Sequence, residues 1–141
     1  MAMIDIENLV YTNVRNAVKA YDSNISVSGN SPDVPSSFPH VSVDETDNFV
    51  AVGAMSTTDR EFAANLTYTV NIFTNTATAK TDAKKIADVV DDAFADMGFA
   101  RSMKQTMPNI DRTIYRLIMR FQATASKAFD GEDGHYNITA R

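Results

Sequence analysis

The sequence predicts an α+β domain: a mostly antiparallel β-sheet with two α-helices packed on one face, an extended loop or hairpin arm and a C-terminal tail. Three observations predict it. Residues 4–21 and 78–97 repeat apolar side chains at i, i+3 and i+4, the mark of a helix with one buried stripe. Residues 61–75 and 112–125 alternate apolar and polar side chains, the mark of a strand with one buried face. The predicted elements then run helix, strand, strand, arm, strand, helix, strand, strand, without the regular strand–helix alternation of a parallel sheet. The 141 residues suit one domain, placed at 1–125, followed by a tail at 126–141.

In the first helix, residues 4–21, the stripe is Ile6, Val10, Val14, Ala17, Val18 and Tyr21. Asp5 and Glu7 fall in its first turn and Lys19 in its last, as the helix dipole favours. Asp22-Ser23-Asn24 ends it, and 25–28 reads as a short strand. Gly29, Asn30, Pro32 and Pro35 make 29–37 a loop. Phe38, Val41 and Val43 give a strand over 38–45, with Pro39 at its entry. Residues 46–60 carry Phe49, Val50, Val52 and Met55 between polar flanks. They fit either a projecting arm with an apolar docking tip or one more strand of the sheet.

In 61–75, Leu66, Tyr68, Val70 and Ile72 alternate with Asn65, Thr67, Thr69 and Asn71. The first set is buried; the second is expected to be wet or to face another subunit. The second helix, 78–97, has Ile86, Val89, Val90, Ala93, Phe94 and Met97 as its stripe and Thr76 or Thr78 as cap. Gly98 stands where a left-handed C-terminal cap belongs, and Phe99 folds back on the last turn. Strands at 100–107 and 112–125, joined through Pro108-Asn109-Ile110-Asp111, read as a hairpin. In the second of them Tyr115, Leu117, Met119, Phe121 and Ala123 take one face, and Ile114, Arg116, Ile118, Arg120 and Gln122 the other. The polar tail has Phe129, Tyr136 and Ile138 as spaced anchors, suited to disorder or to order against a partner.

The formal charge of −5 conceals a division. Residues 1–100 carry a net −8, residues 101–127 a net +5 and residues 128–141 a net −2. The acidic whole argues against a general nucleic-acid binder. The chain has no Cys, which excludes disulfides, thiolate metal sites and a cysteine nucleophile. No apolar run is long enough to span a membrane, and no basic-then-apolar secretory leader stands at the start.

No catalytic, cofactor-binding or metal-binding set emerges. His40 and His135 lack His or Cys partners at ligand spacing. Asp130-Gly-Glu-Asp-Gly134 lacks the alternating oxygen ligands and distal glutamate of a calcium loop. Asp88, Asp91, Asp92 and Asp96 lie opposite the apolar stripe of their helix, as a solvated face or a subunit contact. Phosphate-cradling glycine loops and nucleophile elbows are absent, so the chain is not expected to be an enzyme. The sharpest feature is Arg112, Arg116 and Arg120, which a spacing of four places on one strand face with Ile114 and Ile118 between them. This face fits open solvent, an acidic surface of a neighbouring subunit, or nucleic-acid phosphates. Its mixed arginine and apolar character favours the subunit contact.

The opening helix, the Phe-Pro strand (SSFPHVSVDE), the long alternating strand (AANLTYTVNIFTN), the helix ending in Met-Gly-Phe (KKIADVVDDAFADMGF) and the hairpin QTMPNIDRTIYRLIMRFQA together resemble the tail terminator and head–tail joining proteins of long-tailed bacteriophages. The likeness is one of layout over residues 4–125. It implies a structural virion protein forming a homohexameric ring. That ring would cap the tail tube, stop its polymerisation and offer the head-joining surface. It implies as partners further copies of the chain, the tail tube protein, connector or head-completion proteins, and DNA passing through the channel without sequence-specific binding. It also implies assembly in the host cytoplasm and no cofactor. A head-completion or connector-stopper protein is the alternative within this setting; a small ligand-binding or enzymatic α+β domain is the alternative outside it. The expected interface residues are Arg112, Ile114, Arg116, Ile118, Arg120, Phe49, Val50, Val52, Met55, Phe129 and Tyr136. On this reading Arg116→Glu weakens the ring and leaves the monomer folded.

Overall fold

A computed structural model of the chain describes residues 4–30, 35–50, 63–108, 112–127 and 136–140. The elements are α1 (Glu7–Tyr21), β1 (Ser26–Ser28), β2 (His40–Val50), β3 (Ala63–Thr74), α2 (Ala79–Met97), β4 (Ala100–Met107), β5 (Tyr115–Lys127) and β6 (Tyr136–Ala140). The strands form one sheet in the order β1-β2-β3-β5-β4, with β6 also on β5. β1 runs parallel to β2, and every other pair is antiparallel. The predicted α+β class holds, with β1 making the sheet mixed.

Apolar alternation places the sheet's inner face. Val41 and Val43 of β2, Leu66, Tyr68, Val70 and Ile72 of β3, and Leu117, Met119, Phe121 and Ala123 of β5 are buried in one core. The helices close it with Val10, Val14 and Val18 from α1 and Ala83, Ile86, Ala87, Val90 and Phe94 from α2. Tyr21, expected in the α1 stripe, is the last residue of the helix and is 49% exposed. Asp5 Oδ1 accepts the Glu7 amide at 3.1 Å and satisfies one free donor of the first turn. At α2 neither threonine caps the backbone. Thr76 and Thr78 both donate to Asp82 Oδ2, at 2.8 and 3.0 Å.

Four aromatic rings fasten α2 to the sheet. Phe94 stacks on Phe121 with centroids 4.1 Å apart and meets Phe99 edge-on at 5.3 Å. Tyr68 stands edge-on to Phe99 at 5.5 Å. Truncating such a buried ring costs about 3–5 kcal/mol. Phe99 reaches this position through the turn at Gly98, whose φ of +98° is left-handed as expected. The Phe99 amide donates to the Phe94 carbonyl at 2.9 Å.

The hairpin strands differ from expectation at one end. β5 begins at Tyr115, so Arg112 lies in the connection and not on the strand. β2 continues past residue 45 to Val50 and pairs with β3 as far as Ala64. The rest of the expected arm, 51–60, lies outside the described residues. Residues 136–140, expected in a tail, form a strand on β5. A short edge strand is held by backbone pairing, with Ile138 as its one described core contact, and such a strand has no periodic signature.

β4 and β6 share one edge of β5 end to end: β4 pairs with Arg116–Gln122 and β6 with Ala123–Lys127. Gly98 lies at the junction, where a Cβ would stand 2.5 Å from the Ile138 carbonyl oxygen. Gly98→Ala therefore meets a disfavoured φ and a backbone clash together. It should cost about 1–3 kcal/mol, read as a lower Tm. Amide exchange of residues 136–140 should accelerate more than that of β3, and removing everything after residue 127 should shrink the penalty.

Candidate assembly surface

The opposite face of the sheet carries no helix among the described residues. By alternation and register it presents His40, Ser42, Asp44, Asp47 and Phe49 from β2. β3 adds Asn65, Thr67, Thr69, Asn71 and Phe73, and β5 adds Arg116, Ile118, Arg120, Gln122 and Thr124. β3 was expected to be wet or to face another subunit here, and the wet alternative does not hold. Instead Thr67, Thr69 and Asn71 are 5%, 7% and 3% exposed. A central strand of a twisted sheet lies beneath the side chains of both neighbours, and these short polar groups pair sideways. Thr46 Oγ1 lies 3.1 Å from Thr69 Oγ1, and Thr124 Oγ1 donates to Asn65 Oδ1 at 2.7 Å. Ser42 Oγ alone is buried without a partner among the described residues.

Arg116 belongs to this lattice. Its Nε donates to Asn71 Oδ1 at 2.9 Å, and its guanidinium lies 5.5 Å from the Phe73 ring centre. Phe73, Ile114 and Ile118 are buried, yet stand apart from the main core. Arg116→Glu would strand the buried Asn71 acceptor and remove the cation–π contact, so it perturbs the monomer as well as any interface. Arg120, exposed on the same face, is the cleaner probe.

The structure thus brings Arg116, Ile118 and Arg120 onto one face, with Phe49, 61% exposed, farther along it. Arg112 is exposed at the connection below. Val50 pairs with Ala64, and Tyr136 with Lys127, through their backbones. Val52, Met55, Phe129, His135 and the 130–134 segment lie outside the described residues. Asp88, Asp92 and Asp96 are exposed, and Asp91 pairs with Arg101 at 3.2 Å.

At the outer side of β2 a group appears that sequence reasoning missed. Each of Asp5, Glu7 and Glu45 offers a carboxylate oxygen within 4.8 Å of the others. The available signal was phase: in FPHVSVDE, Glu45 occupies the inward position that follows Val41 and Val43. Tyr68 donates its hydroxyl to Glu45 Oε1 at 3.0 Å. Burial raises the Glu45 carboxyl above the ordinary glutamate range, Glu7 and Asp5 push it further up, and the Tyr68 bond opposes them. Burial and Glu45 together also push the Tyr68 hydroxyl up, so it remains a donor.

His40 anchors β1. Ser37 donates to Ser26 Oγ at 3.0 Å, Ser26 Oγ bonds Nδ1 of His40, and Nε2 lies 2.9 Å from Ser28 Oγ. Ser28 donates its own hydroxyl proton to the Asn30 carbonyl at 2.7 Å, so Nε2 carries the imidazole proton. Burial lowers the His40 pKa. These bonds hold a short parallel strand in place and present no nucleophile.

For Glu45 the sign follows from linkage. The folded state binds the proton more tightly than the unfolded chain, so stability falls as pH rises from the ordinary glutamate value through the raised one. Glu45→Gln keeps an acceptor for Tyr68 and removes the penalty. It should raise Tm at pH 7 by a few degrees at most, with the gain vanishing below about pH 4. Thermal unfolding of both proteins across that range checks it.

No family profile and no curated sequence matches the chain. Solved structures do. One is a chain of the "Virion of native gene transfer agent (GTA) particle", with a TM-score of 0.60 at 21% identity, covering 83% of this chain and 91% of that one. Another belongs to an extracellular contractile injection system described as "PVC sheath/tube terminator in extended state". Its TM-score is 0.50 at 15% identity, and the match covers 100% of this chain and 63% of that one. The present chain thus spans less than two thirds of that terminator's length. At these identities the likeness is one of fold.

Proposed function

We propose that the chain is a tail terminator, a structural component of a phage-like or contractile particle that acts by assembly. Six copies close into a ring that caps the tail tube, ends its polymerisation and offers the surface on which the head or connector is joined. The ring's channel passes DNA without reading its sequence. The observation that carries this reading is the fold shared, over the whole of this chain, with a sheath/tube terminator.

The distribution of charge supports it. A ring needs two unlike patches that meet between neighbours, and closed homo-oligomers use such heterologous contacts. β2 contains three carboxylates and no Lys or Arg, whereas β4 and β5 contain five basic residues and no carboxylate. Acid and base therefore occupy opposite sides of one sheet.

Native mass spectrometry with negative-stain imaging is the test. A six-membered ring is expected, alone or on addition of the tube protein; a monomer that stays monomeric with tube and connector proteins present would overturn the reading. Arg120→Glu should leave the unfolding midpoint within about 2 °C of the parent, because an exposed surface substitution changes stability by under ~0.5 kcal/mol. It should also shift the population from ring towards monomer.

A further inference from the structure

The sheet has two unpaired outer edges, and they differ in kind. On one side β1 pairs with β2 only along His40–Ser42, leaving residues 43–50 without an outer neighbour among the described strands. On the other side the outer edge of β4 has no partner among the described strands. Such rows of free N–H and C=O groups are templates for another strand. The free length of β2 equals the 8 residues of β4.

The two edges are also opposite in charge. Asp44, Glu45 and Asp47 lie along the free part of β2, with Asp5 and Glu7 beside Glu45. A notch lined by Asp5, Glu7, Asn8, Tyr11, Gly29 and Val43 opens where β1 ends. No cation pairs with these carboxylates among the described residues. β4 carries Arg101 and Lys104 and no acid. Arg101 already meets Asp91, but Lys104 is exposed and makes no ion pair among the described residues.

We infer that β4 of one copy pairs antiparallel with the free edge of β2 in a second copy, so that the sheet continues from subunit to subunit. β4 runs opposite to β5, β5 opposite to β3 and β3 opposite to β2, so β4 is antiparallel to β2 and a simple rotation of the next copy preserves that sense. In one-to-one register over the eight residues, Lys104 falls opposite the Glu45–Asp47 stretch and Arg101 falls beside the exposed Phe49. Both strands carry an irregularity, between Glu45 and Asp47 and between Arg101 and Met103. The register at the bulges is therefore the point the experiment scans. The occupant is a second copy because the complementary edge, of matching length, direction and charge, is on this chain. The inference rests on the ring reading and adds to it the two edges through which neighbouring sheets join, beside the contact that the outer face makes.

The chain has no cysteine, so engineered pairs report cleanly. Lys104→Cys is combined in turn with Glu45→Cys, Thr46→Cys and Asp47→Cys in the full chain, and each is oxidised mildly at dilute concentration. At least one pair should give a ladder of covalent oligomers on a non-reducing gel, ending at the ring. The four single-cysteine variants should give no ladder, because a heterologous contact does not bring a residue against its own copy. Lys104→Glu should raise the concentration at half-assembly about tenfold at low salt, and Lys104→Glu with Asp47→Lys should recover most of it. If all three pairs fail while native mass spectrometry of the parent still shows a ring, edge pairing is wrong and the ring reading stands. If the parent shows no ring with its tail partners present, the ring reading fails, and edge pairing fails with it.

Discussion

The stack of Phe94 on Phe121, at 4.1 Å, fixes where the sheet ends on its basic side. Phe94 is the last buried residue of α2, and the chain reverses four residues later at Gly98. Phe99 then inserts between Phe94 and Tyr68, and β4 starts at Ala100. Had the helix been held elsewhere, β4 would reach β5 in another register. The same turn leaves just enough room for Ile138, so the aromatic cluster also decides where β6 lies. Rings contribute beyond their buried area when they meet edge-on or offset. Here that gain falls where α2, β3 and β5 meet beside the turn into β4.

The two faces of the sheet are stabilised by different physics. The inner face is aliphatic and aromatic and is held by removal of apolar surface from water. The outer face is held by lateral pairing among Thr46, Asn65, Thr69, Asn71, Arg116 and Thr124, with Phe73 and Ile118 filling beneath them. Each lateral bond contributes only about 0.5–1.5 kcal/mol, but breaking one leaves a buried polar atom unpaired and costs more. The outer face is therefore a specified surface despite having no helix over it. That rigidity suits a contact surface, since little side-chain entropy remains to be lost on docking.

What was legible in the sequence was what periodicity encodes. Both helices, β3 and the two faces of β5 could be read because burial of one stripe or one face repeats at 3.6 or 2 residues. Gly98 and Phe99 were readable because a left-handed cap followed by a returning aromatic is a local pattern. The misses share a cause. β6 is placed by backbone pairing, and the role of Arg116 by a partner 45 positions earlier. The Asp5–Glu7–Glu45 group joins two elements that are distant in sequence. None of these leaves a repeat in the chain. Of the expected contact residues, the even-numbered positions of β5 were placed on one face by alternation alone. Arg112 was not, because the strand begins three residues after it.

Unpaired edges in soluble sheets are usually blunted by charges and bulges, and both edges of this sheet have both. Self-protection alone does not require the charges to be of opposite sign. Two acidic edges, or two basic ones, would repel their own copies more effectively. An acidic edge and a basic edge on one chain protect poorly against each other, and they select one pairing: head to side, between unlike edges, in one direction. Like-edge contacts are disfavoured by repulsion between charges of one sign. Bulges on both strands limit the register further, because a slipped pairing sets each irregular step against a regular ladder. Charge opposition between unlike edges, repulsion between like edges and a limited register together favour a head-to-side contact, and the rotation which that contact imposes decides whether copies close or stack open-endedly.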